Sequence, residues 1–334
     1  MTRRGSALYI FLCATLFISA CAEHQPDSKD NQDMKPIPVV LDTDIGTDID
    51  DTWALAMLLK SPELDLKMVL TDTGNTAYRA RLTAKLLEVA HRTDVPVAIG
   101  LPFEESQRDL QAEWVRGYNL ANYPGKVHQD GVQAFIDLVM ASPDKITLIA
   151  ISPTPNLAAA LEREPRIAKK LRFVGMFGSV YKGYGGKETP EAEWNVKSHN
   201  EACRKVFQAD WGMTITPLDT CGMVRLTGDL YRKVRESKDP LIQALMENYR
   251  IWAKIVPWEP GLDPESTSST LFDTVAVYLA FSEKGIQMKE MGIQVTEDGF
   301  TKVDEKAKKM KVAVDWEDFE AFKDFLVKRL IGEI

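Results

Sequence analysis

The sequence predicts an α/β protein built on an open, mostly parallel, Rossmann-like sheet with helices on both faces and helical extensions toward the C-terminus. Three observations carry this. Short β-branched runs alternate with longer stretches of three- and four-residue apolar spacing from residue 36 onward. With 334 residues, 45% of them hydrophobic, the chain can bury a large core. Several aspartates crowd behind the first expected strand, at the edge where open α/β sheets gather their ligands.

Residues 1–20 read as a targeting segment. Arg3 and Arg4 precede an apolar stretch from Ala7 to Ala20 that is too short to span a bilayer as a helix. It ends in Ile18-Ser19-Ala20-Cys21, which resembles a bacterial lipobox. The resemblance implies cleavage before Cys21, acylation of that cysteine, and anchoring in a lipid bilayer without a spanning helix. Ala22 resembles the residue of outer-membrane-directed lipoproteins, so the expected location is the cell envelope. An ordinary cleaved signal peptide is the alternative. Residues 21–36 are polar and nearly free of large apolar side chains, which suits a flexible tether. Residues 37–334 then form the catalytic domain. Cys203 and Cys221 could pair in an exported protein, or remain two buried thiols.

Within that domain, strands are expected at 38–41, 66–70, 97–99, 145–151, 172–176 and 213–216. Between them, helices are expected at 50–61, 76–93, 131–142, 154–165 and 200–210. Further helices at 228–237, 240–255 and 271–282 precede a β-like run at 311–315 and a final helix at 316–330. No internal repeat is visible, and the segments after Thr216 read as caps on one domain.

A net charge of −8 with basic residues interspersed among acidic ones argues against nucleic acid as a partner. A small neutral or cationic ligand fits better. In VVLDTDIGTDIDDTWALAMLL, Asp42, Asp44, Asp48, Asp50 and Asp51 need a neutralising group, and a hard divalent cation, calcium or magnesium, supplies one. Helix N-capping explains one or two of them but not all five. An EF-hand is excluded, because a twelve-residue loop counted from Asp42 or Asp44 puts Trp53 or Leu55 where a bidentate Glu belongs. A DxD phosphatase is a weaker alternative, since Gly46 stands where that enzyme wants Thr or Ser.

The segment DTDIGTDIDD resembles the aspartate signature of the inosine–uridine-preferring nucleoside hydrolases, in a longer form with extra residues between Gly46 and Asp50-Asp51. TGNTAYRA, SPTPNLAAAL, TPEAEWNVKSHNEA and LFDTVAVYLA then resemble later segments of that family, in order. The resemblance implies the nucleoside hydrolase fold and calcium-dependent cleavage of a nucleoside's N-glycosidic bond. It makes Asp44, Asp51, Asp273 and the backbone carbonyl of Pro155 calcium ligands, with Asp44 also the general base. Asp50, Asn75, Glu193 and Asn195 match positions that hold or flank the ribose hydroxyls. Pro155 replaces a usual Thr but keeps its carbonyl. Lys187 stands where a sugar-binding Asn is common, and Phe272 where many pyrimidine-tolerant members have His, so substrate identity is affected more than reaction class.

Cleaving an N-glycosidic bond builds positive charge on the sugar, so the site must activate water on one face and help the base leave on the other. Asn195 and Glu193 are expected to stabilise that charge. Without a His beside Asp273, a purine sandwiched between aromatic rings is the expected arrangement, with Tyr249, Trp252 and Trp258 as candidates and Trp194 nearer the ribose. His128 is a candidate lid residue or leaving-group acid. A lipoprotein that binds a ribosyl ligand through calcium without turning it over is the alternative, and a homo-oligomer, dimer or tetramer, is left open.

Overall fold

The run IPVVLDT forms the first strand and sends Val39 and Leu41 to one face of a sheet and Val40 to the other. Both faces are covered, which is why the parallel strands read as continuous apolar runs. The computed structural model describes residues 1–2, 35–103 and 108–334; the expected signal segment, Cys21 and almost all of the tether lie outside them. Lys35–Ile334 forms one unit. Its strands are β1 (Ile37–Thr43), β2 (Leu64–Thr71), β3 (Val97–Ile99), β4 (Val127–His128), β5 (Ile146–Ala150), β6 (Leu171–Met176), β7 (Gly212–Thr216), β8 (Ile286–Val295), β9 (Thr301–Val303) and β10 (Lys309–Trp316).

They form one sheet in the order β4-β3-β2-β1-β5-β6-β7-β10-β8-β9. Every pairing from β4 through β10 is parallel, and β8 joins β10 antiparallel. The chain leaves β1 toward β2, β3 and β4, then returns to the other side of β1 at β5. That reversal opens a crevice outside the carboxyl ends of β1 and β5, so the topology alone places the aspartates at a ligand-binding position.

One face is covered by helices Asp50–Leu59, Thr76–Val89, Pro240–Ala253 and Phe319–Ile331 and the other by Gly131–Ala141, Pro155–Arg163 and Asn200–Gln208. The C-terminal part adds more than helices: β8, β9 and β10 extend the sheet, where the sequence suggests only a β-like run at 311–315. In β8, IQMKEMGIQV, Lys289 and Glu290 interrupt the apolar alternation, and antiparallel pairing to β10 holds the strand. The helix expected at 271–282 is shorter, Thr274–Leu279. Cys203 and Cys221 are both free and buried. Among the described residues no helix is long and apolar enough to cross a membrane.

Candidate active site

Beyond Thr43 the chain runs through Asp44–Ile49 before entering the Asp50–Leu59 helix. Gly46 holds a φ of 108°, and a Cβ there would lie 2.6 Å from the Tyr78 ring, so only glycine fits. Neighbouring elements hold this loop from below. Trp252 donates its Nε1–H to the Thr47 carbonyl at 3.0 Å, Gln111 donates Nε2–H to the Asp48 carbonyl at 3.2 Å, and Ile45 N–H donates to Thr43 Oγ1 at 3.1 Å. Arg79, 2% exposed, donates to the carbonyls of Asp44 and Ile45 and to Thr47 Oγ1.

The five aspartates then separate by environment. Asp42 points into the sheet end, accepting from Ser152 Oγ at 3.0 Å and Asn156 Nδ2 at 3.1 Å, while burial pushes its carboxyl up to about 7. Asp48 accepts from the Ile49 N–H at 2.6 Å and is also pushed up to about 7, mainly by desolvation. Asp50, Asp51 and Asp273 meet, with carboxylate oxygens within 4.8 Å of one another. Desolvation first, and then repulsion from neighbouring aspartates (Asp48 on Asp50, Asp44 on Asp51, Asp50 on Asp273), raise all three well above the ordinary carboxylate value. Thr43 Oγ1 donates to Asp51. Among the described residues no basic side chain hydrogen-bonds to any of the three. Buried carboxylates so close together without a positive partner suit a hard cation with oxygen ligands.

These acids form the floor of a cavity of about 600 Å³. Asp44 also lines it; desolvation raises its carboxyl and the Arg79 charge opposes that rise. The wall is Glu193 and Asn195, both buried. Glu193 caps the Trp194–Ser198 helix, accepting from Asn195 N–H at 2.7 Å and from Gly178 N–H at 2.9 Å, and burial pushes it up to about 7. Asn195 Nδ2–H donates to the Met176 carbonyl at 3.1 Å. At the mouth stand Trp194 and Trp258, 43% and 38% exposed, with Phe272, Tyr184 and Lys187. Lys187 reaches Glu191 at 2.9 Å.

Some expected residues lie elsewhere. Tyr249 and Trp252, expected to stack on a base, are fully buried behind the loop, with Tyr249 donating to the Thr267 carbonyl at 2.8 Å; their spacing is that of a core-facing helix. Asn75 caps the Thr76–Val89 helix by accepting from Tyr78 N–H at 3.1 Å, and donates to Asp109 at 2.8 Å, so both ends of its amide are engaged outside the cavity. His128 sits on the edge strand β4, with burial lowering its pKa, and does not line the cavity. Pro155 opens its helix and lines a separate depression with Ser198, His199 and Asn200. Sequence reasoning overlooked Arg79. Its signal was present: Arg79, Leu82, Thr83 and Leu86 share the buried face of one helix, where a basic residue is out of place.

The model of the family described as inosine-uridine preferring nucleoside hydrolase matches residues 39–324. The non-specific ribonucleoside hydrolase RihC of Escherichia coli O1:K1 is 33% identical over 228 residues, 64% of this chain and 72% of that protein. The protein of the same name from Klebsiella pneumoniae is 31% identical over 226 residues, with the same shares covered. Among solved structures, the plant nucleoside hydrolase PpNRh1 superimposes with a TM-score of 0.76 at 24% identity, covering 89% of this chain and 100% of its own. The purine-preferring ribonucleoside hydrolase from Gardnerella vaginalis gives 0.71 at 22% identity, covering 88% of this chain and 98% of that one, a likeness of fold. The sheet that carries aspartates at its switch point, and a family match running almost from β1 to the last helix, lead to one conclusion: this chain belongs to the inosine-uridine preferring nucleoside hydrolases, enzymes that hydrolyse the N-glycosyl bond of ribonucleosides.

Proposed function

We propose that the protein is a calcium-dependent hydrolase with a preference for purine ribonucleosides, releasing free base and ribose, with Asp44 as general base. The observation that carries this reading is the buried trio Asp50, Asp51 and Asp273 on the floor of a cavity that Asp44, Glu193 and Asn195 also line. Asp44, Asp51 and Asp273 would hold the ion, and Asp50 a ribose hydroxyl. Calcium bound there would orient the attacking water and lower its pKa.

The protein's own groups do the rest. Asp44 takes a proton from water as the water oxygen bonds to the anomeric carbon and the C–N bond to the base breaks; the base departs with that electron pair and takes up a proton from solvent. Glu193 and Asn195 fix the ribose, and their oxygens favour the positive charge that develops on the sugar. Trp258 and Trp194 offer exposed rings at the mouth for a flat base, and a purine presents more surface for offset stacking than a pyrimidine.

The test is release of reducing sugar from inosine, guanosine, adenosine, uridine and cytidine by the purified protein and by Trp258→Ala. The reading expects higher kcat/KM for the purines, and in the variant a loss of roughly 10-fold, about 1.4 kcal/mol, mostly through KM on purines. Equal turnover of all five would refute the purine preference. Calcium-dependent binding of every nucleoside with no free base would leave a binding protein.

Anchoring through acylated Cys21 belongs to the same proposal and rests on the Ile18–Cys21 motif alone. Cys21→Ala is expected to shift the protein from the membrane fraction to the soluble fraction; unchanged partitioning would remove the lipid anchor from the account.

A further inference from the structure

Two basic side chains among the described residues are buried to 5% exposure or less, Arg79 and Arg329. Arg329 has a carboxylate partner, Glu63, at 2.6 and 2.7 Å. Arg79 has none in contact. Its guanidinium is spent on neutral acceptors: Nε–H to the Thr73 carbonyl at 2.8 Å, Nη1–H to the carbonyls of Asp44 and Ile45, and Nη2–H to Thr47 Oγ1 at 2.9 Å. Burying a charge without a counter-ion in contact is costly, and here the four neutral acceptors and the charges of Asp44 and Asp51 offset that cost. The acceptors are also revealing, since three of them belong to the aspartate loop and the fourth to the loop after β2. There Thr73 holds a φ of 50°, a left-handed conformation that a β-branched residue adopts only when its surroundings impose it.

From this geometry we infer that Arg79 is a positioning residue: its planar fork ties the loops 44–47 and 73–74 together and holds the aspartates in place before any cation arrives. The site is thus built in the calcium-free protein and not assembled by the ion. The arrangement needs a fork and not merely a charge, because a lysine ammonium is one point and cannot reach acceptors spread over two loops. Arg79 lies on the Thr76–Val89 helix, whose first turn also supplies Tyr78 against Gly46, so one rigid element sets the position of the whole loop. The consequence for calcium affinity rests on the metal reading proposed above; the clamp itself does not.

The two can be separated by experiment. In chelator, amide hydrogen exchange of residues 44–49 is expected to be at least about tenfold faster in Arg79→Met than in the wild type, with β5 unchanged. Arg79→Lys is expected to behave more like the Met variant than like wild type. By calorimetric titration with calcium chloride, both variants should bind calcium at least about tenfold more weakly. The clamp is overturned if exchange at 44–49 is unchanged, if it rises only in step with β5, or if Lys restores it fully, which would leave charge alone as the role. Tighter calcium binding in Arg79→Met would likewise make the residue a repelling charge. Should Arg79→Met not fold, Thr47→Val removes one of the contacts, and faster exchange at 44–49 is again expected, with no change overturning the clamp. A wild-type protein that protects the loop but binds no calcium supports the clamp and overturns the metal assignment.

Discussion

Asp44→Asn is expected to lower kcat on inosine by about 10²–10⁴-fold, the range that a general base contributes, with calcium present and the fold intact. The amide keeps the size and the hydrogen-bonding ability of the carboxylate but cannot accept the proton from water. Arg79 bonds to the backbone carbonyl of Asp44, not to its side chain, so the substitution leaves that clamp in place. The loss should therefore fall on kcat more than on KM. Because Asp44 is also a proposed ligand, calcium affinity is to be measured beside the rates. A kcat within about threefold of wild type at saturating calcium would take the general-base role away from Asp44.

The second large effect is on stability. Burial pushes Glu193 and Asp42 up to about 7 and raises Asp50, Asp51 and Asp273 well above the ordinary carboxylate value. A carboxyl with a higher pKa folded than unfolded binds more protons in the folded state. Its contribution to stability is greatest below the unfolded value, near 4, and declines as pH rises through the folded value. Calcium-free protein should accordingly lose thermal stability between about pH 4.5 and pH 7, by up to roughly 1.4 kcal/mol per pH unit for each group titrating. Calcium reverses the sign for the acids it touches, since it favours their ionised form. At a thousand times its dissociation constant it adds about 4 kcal/mol, or roughly 8 °C in Tm. The gain from calcium should be large at pH 7.5 and small at pH 5, where protons compete for the same oxygens. A gain equal at both pH values, in thermal melts with calcium and with chelator, would contradict calcium binding at these carboxylates.

Much of this site was legible in the sequence, and the limits have physical causes. The apolar runs of β1, β2, β5 and β6 are unambiguous because both of their faces are buried, and the position of the aspartates after β1 follows from sheet topology. The meeting of Asp51 with Asp273, 222 residues apart in the chain, came from family resemblance; periodicity carries no such long-range information. Tyr249 and Trp252 show the converse. An i, i+3 aromatic pair looks the same whether its helix faces a ligand or the core, and here the indole of Trp252 supports the loop from behind through Thr47. Asn75 is similar, because an Asn before a helix serves equally well as a cap or as a ligand-binding group; here its carbonyl oxygen caps the helix at Tyr78 and its amide nitrogen donates to Asp109. β8 escaped because its middle is polar and its pairing, not its composition, makes it a strand.

The central claim is that the buried aspartates work through calcium, and one measurement addresses it directly: ribose release from inosine by the purified protein in calcium, after chelator, and after calcium is restored, beside Asp273→Asn. The account predicts turnover that disappears in chelator, returns with calcium, and is absent at ordinary calcium concentrations in the variant. Turnover that persists in chelator, or an Asp273→Asn enzyme as active and as calcium-responsive as wild type, would contradict it.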